Sequence, residues 1–270
     1  MYHIAYLRDD GVIRTRGRNN YGQLGNGNNT NNTTSSETVS GISTATKIVA
    51  AQANTCALLS NGQVWCTGIG SKGENGDGTT NDRNSPVQVN LPSDTAVDIF
   101  ASRRSLAAVL ADGRAYGWGE NTGSKILCTT SDSSTGGTPR QITSFTNIKQ
   151  VDYGTYHSIL LTNDGKVYTC GTVYKDSNVA GNAAFYALFG SAQYMNTNGP
   201  ILMDGFGDGE IYDGRAIHVR ASGTNSYIML DNGSVVCTGS NTFYQCSPDG
   251  TIASTGGSDY QKTPIIIPGL

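Results

Sequence analysis

Six cysteines and three histidines are the side chains of this sequence best suited to metal binding or nucleophilic chemistry. A structural zinc site usually takes its cysteines in close pairs, with two to four residues between them. Here no two cysteines are separated by only two residues, and His3, His157 and His218 are scattered. The Gly-x-Ser-x-Gly, His-Glu-x-x-His and Walker-type motifs are absent as well. The sequence therefore predicts no enzyme activity, no metal site and no cofactor.

Three arginines alternate along one short segment, at Arg14, Arg16 and Arg18. Side chains of a β-strand point alternately to opposite faces, so these three would share one face. Guanidinium groups bind carboxylates through charge-assisted hydrogen bonds. The segment predicts a small basic patch for a carboxylated sugar or an acidic protein, and the alternative is a solvated edge strand whose charges prevent aggregation.

Aromatic residues are concentrated in one stretch, positions 171 to 212, which also interrupts the regular spacing described below. Exposed aromatic rings give a large contact area at a low entropic cost, as binding loops require. The stretch therefore predicts a binding surface, although its rings could instead pack into a small core of their own. The five residues assigned to this surface are Tyr174, Phe185, Tyr186, Phe189 and Tyr194.

The elements that position these residues come from a unit that recurs five times. Each copy has an Asp-Gly or Asn-Gly pair, a short apolar run and a closing glycine, as in Asn61-Gly-Gln-Val-Trp-Cys-Thr-Gly68. The first glycines of the copies are spaced by 51, 51, 52 and 68 residues. A period near 50 is typical of β-propeller repeats, and the long fourth interval predicts an insertion near 172–215.

Each copy predicts a β-hairpin, because glycine readily adopts the positive φ that a tight turn requires. A β-branched run precedes each later hairpin, for example Lys47–Ala51, and a proline-led run at Pro86–Val89 follows the second. Four strands per unit make one propeller blade. We therefore expect an all-β fold of about five four-stranded antiparallel blades in a single domain spanning 1–270. The first unit has no preceding β-branched run, so the array is either incomplete or closed by strands from both ends.

The segments that carry this pattern resemble the repeats of the RCC1 (regulator of chromosome condensation) family. The second copy resembles them most, in residues 54–66 and 76–89, and the first copy supplies a similar glycine-rich segment at 17–27. The resemblance covers nearly the whole chain and is weakest at about 172–215. The resemblance implies a propeller that binds partners. The cysteine-bearing repeats of this chain resemble those of bacterial or phage members of the family.

The resemblance also bears on the cysteines, because secreted bacterial repeats of this kind often carry a cysteine pair at this place. Cys56 and Cys66 would lie opposite each other on the two arms of one hairpin and form a disulfide. Cys237 occupies the place of Cys66 but faces Tyr227, so its expected partner is Cys246. Free buried thiols are the alternative in both cases. His157 lies where these repeats often have a histidine, and we expect it to form a structural hydrogen bond.

Composition limits the partners and the setting. The net charge is −3 and only 14% of the residues are charged, which disfavours nucleic acid as a partner. No apolar run approaches the roughly 20 residues of a membrane span, and no signal peptide is recognised at the start. An even number of cysteines favours an extracellular or particle-surface setting, where disulfides persist.

Together these features predict a non-catalytic binding or structural protein on a virion or cell surface. A phage tail, fibre or capsid-decoration component would bind a neighbouring protein or a host-surface glycan, and it could form a homo-oligomer through unpaired strand edges. The alternative is a secreted protein inhibitor of an enzyme, as the β-lactamase inhibitors of the family are. The choice between the two rests on the setting and on the partner, because a fold alone does not fix a site.

Overall fold

A computed structural model describes most of the chain, namely residues 3–121, 127–129, 136–142, 146–155, 157–171, 197–203, 205–206, 212, 214–223, 225–240, 246 and 260–267. These residues form an all-β structure of 19 strands in five antiparallel sheets. Each sheet is a simple meander in which sequential strands are neighbours. The predicted class, all-β with blades of the propeller type, is confirmed.

The strands are as follows, sheet by sheet. The first sheet contains β1 (His3–Leu7), β2 (Ile13–Gly17) and β3 (Asn32–Thr38), and the second contains β4 (Ala45–Ala50), β5 (Asn54–Leu59), β6 (Val64–Gly68) and β7 (Arg83–Gln88). The third sheet contains β8 (Ala96–Ser102), β9 (Ser105–Leu110), β10 (Ala115–Gly119) and β11 (Arg140–Gln141). The fourth contains β12 (Ile148–Tyr153), β13 (His157–Thr162), β14 (Val167–Gly171) and β15 (Thr197–Leu202), and the fifth contains β16 (Ala216–Ser222), β17 (Asn225–Leu230), β18 (Val235–Ser240) and β19 (Tyr260–Ile266).

The repeated glycines form the hairpin turns that the sequence predicts. In the second sheet the Gly62 N–H donates to the Leu59 carbonyl at 3.0 Å, and Gly62 has a φ of +83°. All five turn glycines have positive φ, which a side chain would strain. The turn fixes the register of the two strands, so the same side-chain positions recur in every hairpin.

Buried apolar side chains fill the space between neighbouring sheets within each of the two compact units described below. Ile13 of β2 and Val39, which follows β3, pack against Ala57 of β5. A larger cluster joins the second and third sheets around Trp118, and another joins the fourth and fifth around Phe206. The central strands are therefore buried on both faces, as in β9, where every residue is buried.

The described chain divides into two compact units. The first comprises Met1–Thr122 and Ser131–Thr146, and the second comprises Gly123–Thr130 and Asn147–Leu270. Whether these units form the single predicted domain stays a prediction. The predicted insertion falls largely on residues outside the described part of the chain.

The first sheet has three described strands where the others have four. The register of β1 with β2 places His3 opposite Gly17, as Asn54 of β5 lies opposite Gly68 of β6. Thus β1 corresponds to the second strand of the other sheets, and no described strand corresponds to their first. The last strand, β19, completes the fifth sheet beside β18. Among the described residues, therefore, no sheet combines strands from both ends of the chain.

Candidate functional site

A cleft of about 250 Å³ on the first unit contains three arginine side chains. It is assembled from loops of three sheets that are distant in sequence. The lining residues are Arg18, Tyr21, Gln23, Gln52, Ala53, Ile69, Arg103 and Arg104.

The turns that bear these residues are held together by backbone hydrogen bonds. The Gln52 N–H, in the turn between β4 and β5, donates to the Arg103 carbonyl in the turn between β8 and β9 at 3.0 Å. The loop after β2 is held by a side chain instead, because the Thr55 hydroxyl donates to the Gln23 carbonyl at 2.8 Å. The cleft therefore has a backbone framework that does not depend on a ligand.

Arg104 is neutralised by a buried carboxylate. Its Nε donates to Glu74 Oε1 at 2.6 Å, and its Nη2 donates to the Ser71 hydroxyl at 2.7 Å. Glu74 is 0% exposed, and its second oxygen accepts from the Lys72 backbone N–H at 2.7 Å. A buried carboxylate needs such partners to remain charged. Arg104 thus acts as a structural cation at the wall of the cleft.

Arg18 and Arg103 differ from Arg104, because both are exposed and neither forms an ion pair with a described carboxylate. The Arg18 guanidinium lies over the Tyr21 ring, 5.6 Å from its centre, which limits the positions it can take. Two positive charges without a described carboxylate partner therefore face one concave surface. The cleft combines them with the amides of Gln23 and Gln52 and the apolar side chain of Ile69.

This set of groups suits recognition of an anion. Guanidinium and amide groups donate hydrogen bonds to carboxylates with good geometry. The lining residues include no carboxylate, thiol or imidazole that could act as a general base or nucleophile. The described residues contain no cluster of three or more His, Cys, Asp or Glu side chains that could hold a metal ion. None of them forms a helix long and apolar enough to span a bilayer.

The structure separates Arg18 from the other two arginines of the predicted patch. Arg14 and Arg16 lie in β2, opposite Tyr6 and Ile4 of β1, and they do not line the cleft. Arg18 follows the end of β2, so the prediction that all three arginines share one strand face is wrong. The reason is Gly17, whose φ of +116° ends the alternation of the strand.

The predicted aromatic binding residues Tyr174, Phe185, Tyr186, Phe189 and Tyr194 lie outside the described residues. Sequence reasoning missed Arg103, Arg104 and Glu74. The adjacent arginines at 103 and 104, between two short apolar runs, were a signal for the first two. Nothing in the sequence showed that Glu74 would be buried beside Arg104.

All six cysteines are paired. The structure joins Cys56 to Cys66, directly opposite each other in β5 and β6, and Cys237 to Cys246. These are the pairs named from the sequence. A third disulfide, Cys128 to Cys170, was not predicted, and it ties residue 128 to β14.

The buried ionisable groups outside the cleft have structural partners. His157 Nε2 lies 2.9 Å from the Ser226 hydroxyl, and burial lowers the pKa of His157 to about 4. Burial also raises the pKa of Asp152, against the backbone N–H groups of Tyr153 and Ala221 that donate to it at 2.9 and 3.1 Å. His157 therefore has the hydrogen-bonding role expected of it, to β17 of the fifth sheet.

Comparison with known proteins identifies the repeat. Two models of the regulator of chromosome condensation (RCC1) repeat match residues 112–161 and 148–175. The chain is 28% identical to the mouse Regulator of chromosome condensation over 174 residues, which is 63% of this chain and 41% of that protein. It is 27% identical over 177 residues to the human E3 ubiquitin-protein ligase HERC2, which is 63% of this chain and 4% of that protein.

Among solved structures, Prp20p of Saccharomyces cerevisiae is similar over 100% of this chain and 64% of that chain, with a TM-score of 0.76 and 16% identity. Binding properties to Gsp1p and histones are described for that protein. The chain thus spans less than two thirds of these relatives. The likeness shows a fold built from RCC1-like repeats.

Proposed function

We propose that this RCC1-like repeat propeller is a non-catalytic binding protein that holds an acidic partner protein in the cleft between Arg18 and Arg103. The observation that carries the proposal is a pair of exposed guanidinium groups, without carboxylate partners among the described residues, in one preformed concave surface. The chain as a whole is acidic, with a net charge of −3, so a local positive site gives direction to an encounter with an anion. Prp20p, which shares the fold, likewise binds other proteins, namely Gsp1p and histones.

We further propose that the protein works outside the reducing cytoplasm, on a virion or a cell surface. Six paired cysteines support this setting, because disulfides persist in oxidising surroundings. A bacterial or phage source belongs to the same proposal, and the relatives named above are eukaryotic. A secreted enzyme inhibitor is the second proposal, because paired cysteines fit an exported protein equally well.

The test of the cleft is binding of a fluorescein-labelled hexaglutamate peptide, followed by fluorescence anisotropy at low salt. The double variant Arg18→Ala/Arg103→Ala should bind about tenfold more weakly than the wild type, equivalent to about 1.4 kcal/mol. Binding should also weaken as salt is added, because exposed charges are screened.

Arg8→Ala is the matched control, because Arg8 is exposed but pairs with Asp10 at 3.0 Å in the β1–β2 hairpin. The control should bind like the wild type. Equal affinity of the wild type and the double variant would show that the cleft is not the site. A sialylated glycan that binds where hexaglutamate does not would replace the protein partner with a carboxylated sugar.

A further inference from the structure

The glycine-rich loops after β2 and β6 match each other in sequence and in backbone structure. Residues 22–27 and 73–78 have glycine at the same three positions. In each loop the N–H of the first glycine donates to the carbonyl three residues earlier, at 2.9 Å in the first loop and 2.6 Å in the second. Gln23 of the first loop therefore corresponds to Glu74 of the second.

The side chains of Gln23 and Glu74 differ in one atom that matters. Gln23 Oε1 accepts from the Tyr21 backbone N–H at 3.0 Å, which fixes the orientation of the amide. Glu74 Oε2 accepts from the Lys72 backbone N–H in the same way, at 2.7 Å. The other terminal atom is a carboxylate oxygen in Glu74, which accepts from Arg104, and an NH₂ group in Gln23.

The residue that would pair with this atom differs too. Ala53 immediately precedes β5, as Arg104 immediately precedes β9. These strands correspond, because Asn54 and Ser105, their first residues, each lie opposite the glycine that ends the following strand. The methyl group of Ala53 cannot fill the space of an arginine side chain. The cleft, which Gln23 and Ala53 both line, lies where that side chain is missing.

Gln23 Nε2 is a hydrogen-bond donor without an acceptor among the described residues. The residue is only 1% exposed, so water reaches its amide poorly, but the amide borders the cleft. A buried N–H group without an acceptor is costly, and an acceptor that enters the cleft would remove that cost. The base of the cleft thus offers a donor, beneath the exposed guanidinium groups of Arg18 and Arg103.

The size and the walls of the cleft limit what can enter it. Its volume of about 250 Å³ is below the range of roughly 300–1,000 Å³ for pockets that hold drug-sized molecules. Ala53 and Ile69 contribute apolar surface. A glutamate side chain fits this arrangement, because its methylene groups would contact the apolar surface and its carboxylate would accept from guanidinium and amide N–H groups.

We propose that the cleft binds the side chain of a single glutamate of the partner protein, and that Gln23 selects its carboxylate. This inference rests on the proposed function, which itself requires only the charges of Arg18 and Arg103. The glutamate takes the space that corresponds to the Arg104 side chain, and glutamine in place of glutamate at position 23 keeps the site open to an anion.

The first experiment compares the whole chain with its Gln23→Glu variant for binding of fluorescein-labelled hexaglutamate, by fluorescence anisotropy at low salt. The variant keeps the oxygen that accepts from Tyr21 but replaces the donor with a negative charge. Binding should weaken at least about tenfold, because two carboxylates would then share one site. In the wild type, hexaglutamate should also shift the NMR signals of the Gln23 side-chain NH₂ group.

The variant Gln23→Glu/Ala53→Arg tests the same point without a change in net charge. It should rebuild the ion pair of Glu74 and Arg104, fill the cleft and lose hexaglutamate binding while its melting temperature stays close to that of the wild type. It keeps the test valid if the buried charge of Gln23→Glu prevents folding. Asn61→Asp is the control for added charge, because Asn61 lies at the opposite end of β5 and three other copies carry aspartate there.

A second comparison tests the choice of glutamate. Hexaaspartate has the same charge but one methylene group fewer in each side chain, so the wild type should bind it about fourfold more weakly. Equal affinity for the two peptides would overturn the selection of glutamate.

The outcomes separate this inference from the proposed function. If Arg18→Ala/Arg103→Ala weakens binding but both Gln23 variants bind like the wild type, the inference is overturned and the proposed function stands. If the double arginine variant binds like the wild type, or if the wild type binds no hexaglutamate, the proposed function fails and the inference fails with it.

Discussion

At the scale of single residues, two buried histidines occupy equivalent places in different sheets. His3 lies opposite Gly17 and His157 opposite Gly171. Each bonds through Nε2, at 2.9 Å, to a hydroxyl of another strand, Thr55 for His3 and Ser226 for His157. Burial lowers the pKa of both imidazoles, so both are neutral links at neutral pH.

Because burial keeps the His157 imidazole neutral, the free energy of unfolding depends on pH. Its pKa is about 4 in the folded chain against an ordinary value of 6.5, so the unfolded chain binds a proton first as the pH falls. The free energy of unfolding should therefore be unaffected above pH 6.5 and decrease by about 1.4 kcal/mol per pH unit between pH 6.5 and 4. Between pH 7 and 5 the wild type should lose about 2 kcal/mol more than His157→Gln, as urea unfolding would measure.

Asn29→Gln is the control for this prediction, because Asn29 is exposed and carries no ionisable group. It should keep the pH dependence of the wild type. If His157→Gln and the wild type lose equal stability between pH 7 and 5, the imidazole is not held neutral by burial.

At the scale of elements, hydrogen bonds and ion pairs of polar side chains connect neighbouring sheets in addition to apolar packing. The Gln150 amide donates to the Val219 carbonyl at 2.7 Å and accepts from the Val219 N–H at 3.2 Å. In the first unit, Lys47 of β4 pairs with Asp98 of β8 and lies 4.7 Å from the Phe100 ring centre. The first strands of these sheets are thus bound laterally by polar contacts at equivalent positions.

The glycines that end β6 and β10, Gly68 and Gly119, permit a close approach of two backbones. A Cβ on Gly68 would come within 2.1 Å of the Ala53 carbonyl oxygen, and the φ of Gly68 is +115°. Gly68→Ala should therefore destabilise the chain by about 3 kcal/mol, the sum of backbone strain and a forced shift of the turn. Chemical denaturation would measure the change.

Gly41→Ala separates the two causes. Gly41 also has a positive φ, +72°, but a Cβ there would meet nothing within 4 Å. This variant should lose only about 1 kcal/mol. Equal losses for the two variants would show that the close approach at Gly68 does not contribute.

At the scale of the whole molecule, the three disulfides lie in three different sheets. Cys56–Cys66 crosses the second sheet, Cys128–Cys170 reaches the fourth and Cys237–Cys246 reaches the fifth. Each restricts the unfolded chain, and the stabilisation grows slowly with the length of the closed loop. The longest loop, between Cys128 and Cys170, spans 42 residues.

Protein produced in an oxidising compartment should therefore contain no free thiol. Denaturation without reductant in the presence of iodoacetamide should leave all six cysteines unalkylated by mass spectrometry. After reduction all six should react, and the melting temperature should fall by several degrees. Alkylation before reduction would contradict the paired state and weaken the proposed extracellular or virion setting.

The repeat determined most of the fold from the sequence alone. Turn glycines such as Gly62, and the alternation that follows them, act between residues close in the chain, so each hairpin and its register could be predicted locally. The same locality placed Cys56 opposite Cys66.

The site depended on the tertiary structure. Arg18, Gln52 and Arg103 come from loops of three sheets, and only packing brings them to one cleft. Which arginine stays uncompensated depends on Glu74, a buried carboxylate 30 residues from Arg104. Contact between segments that are distant along the chain is not encoded in any one of them, so only the folded chain brings these groups together.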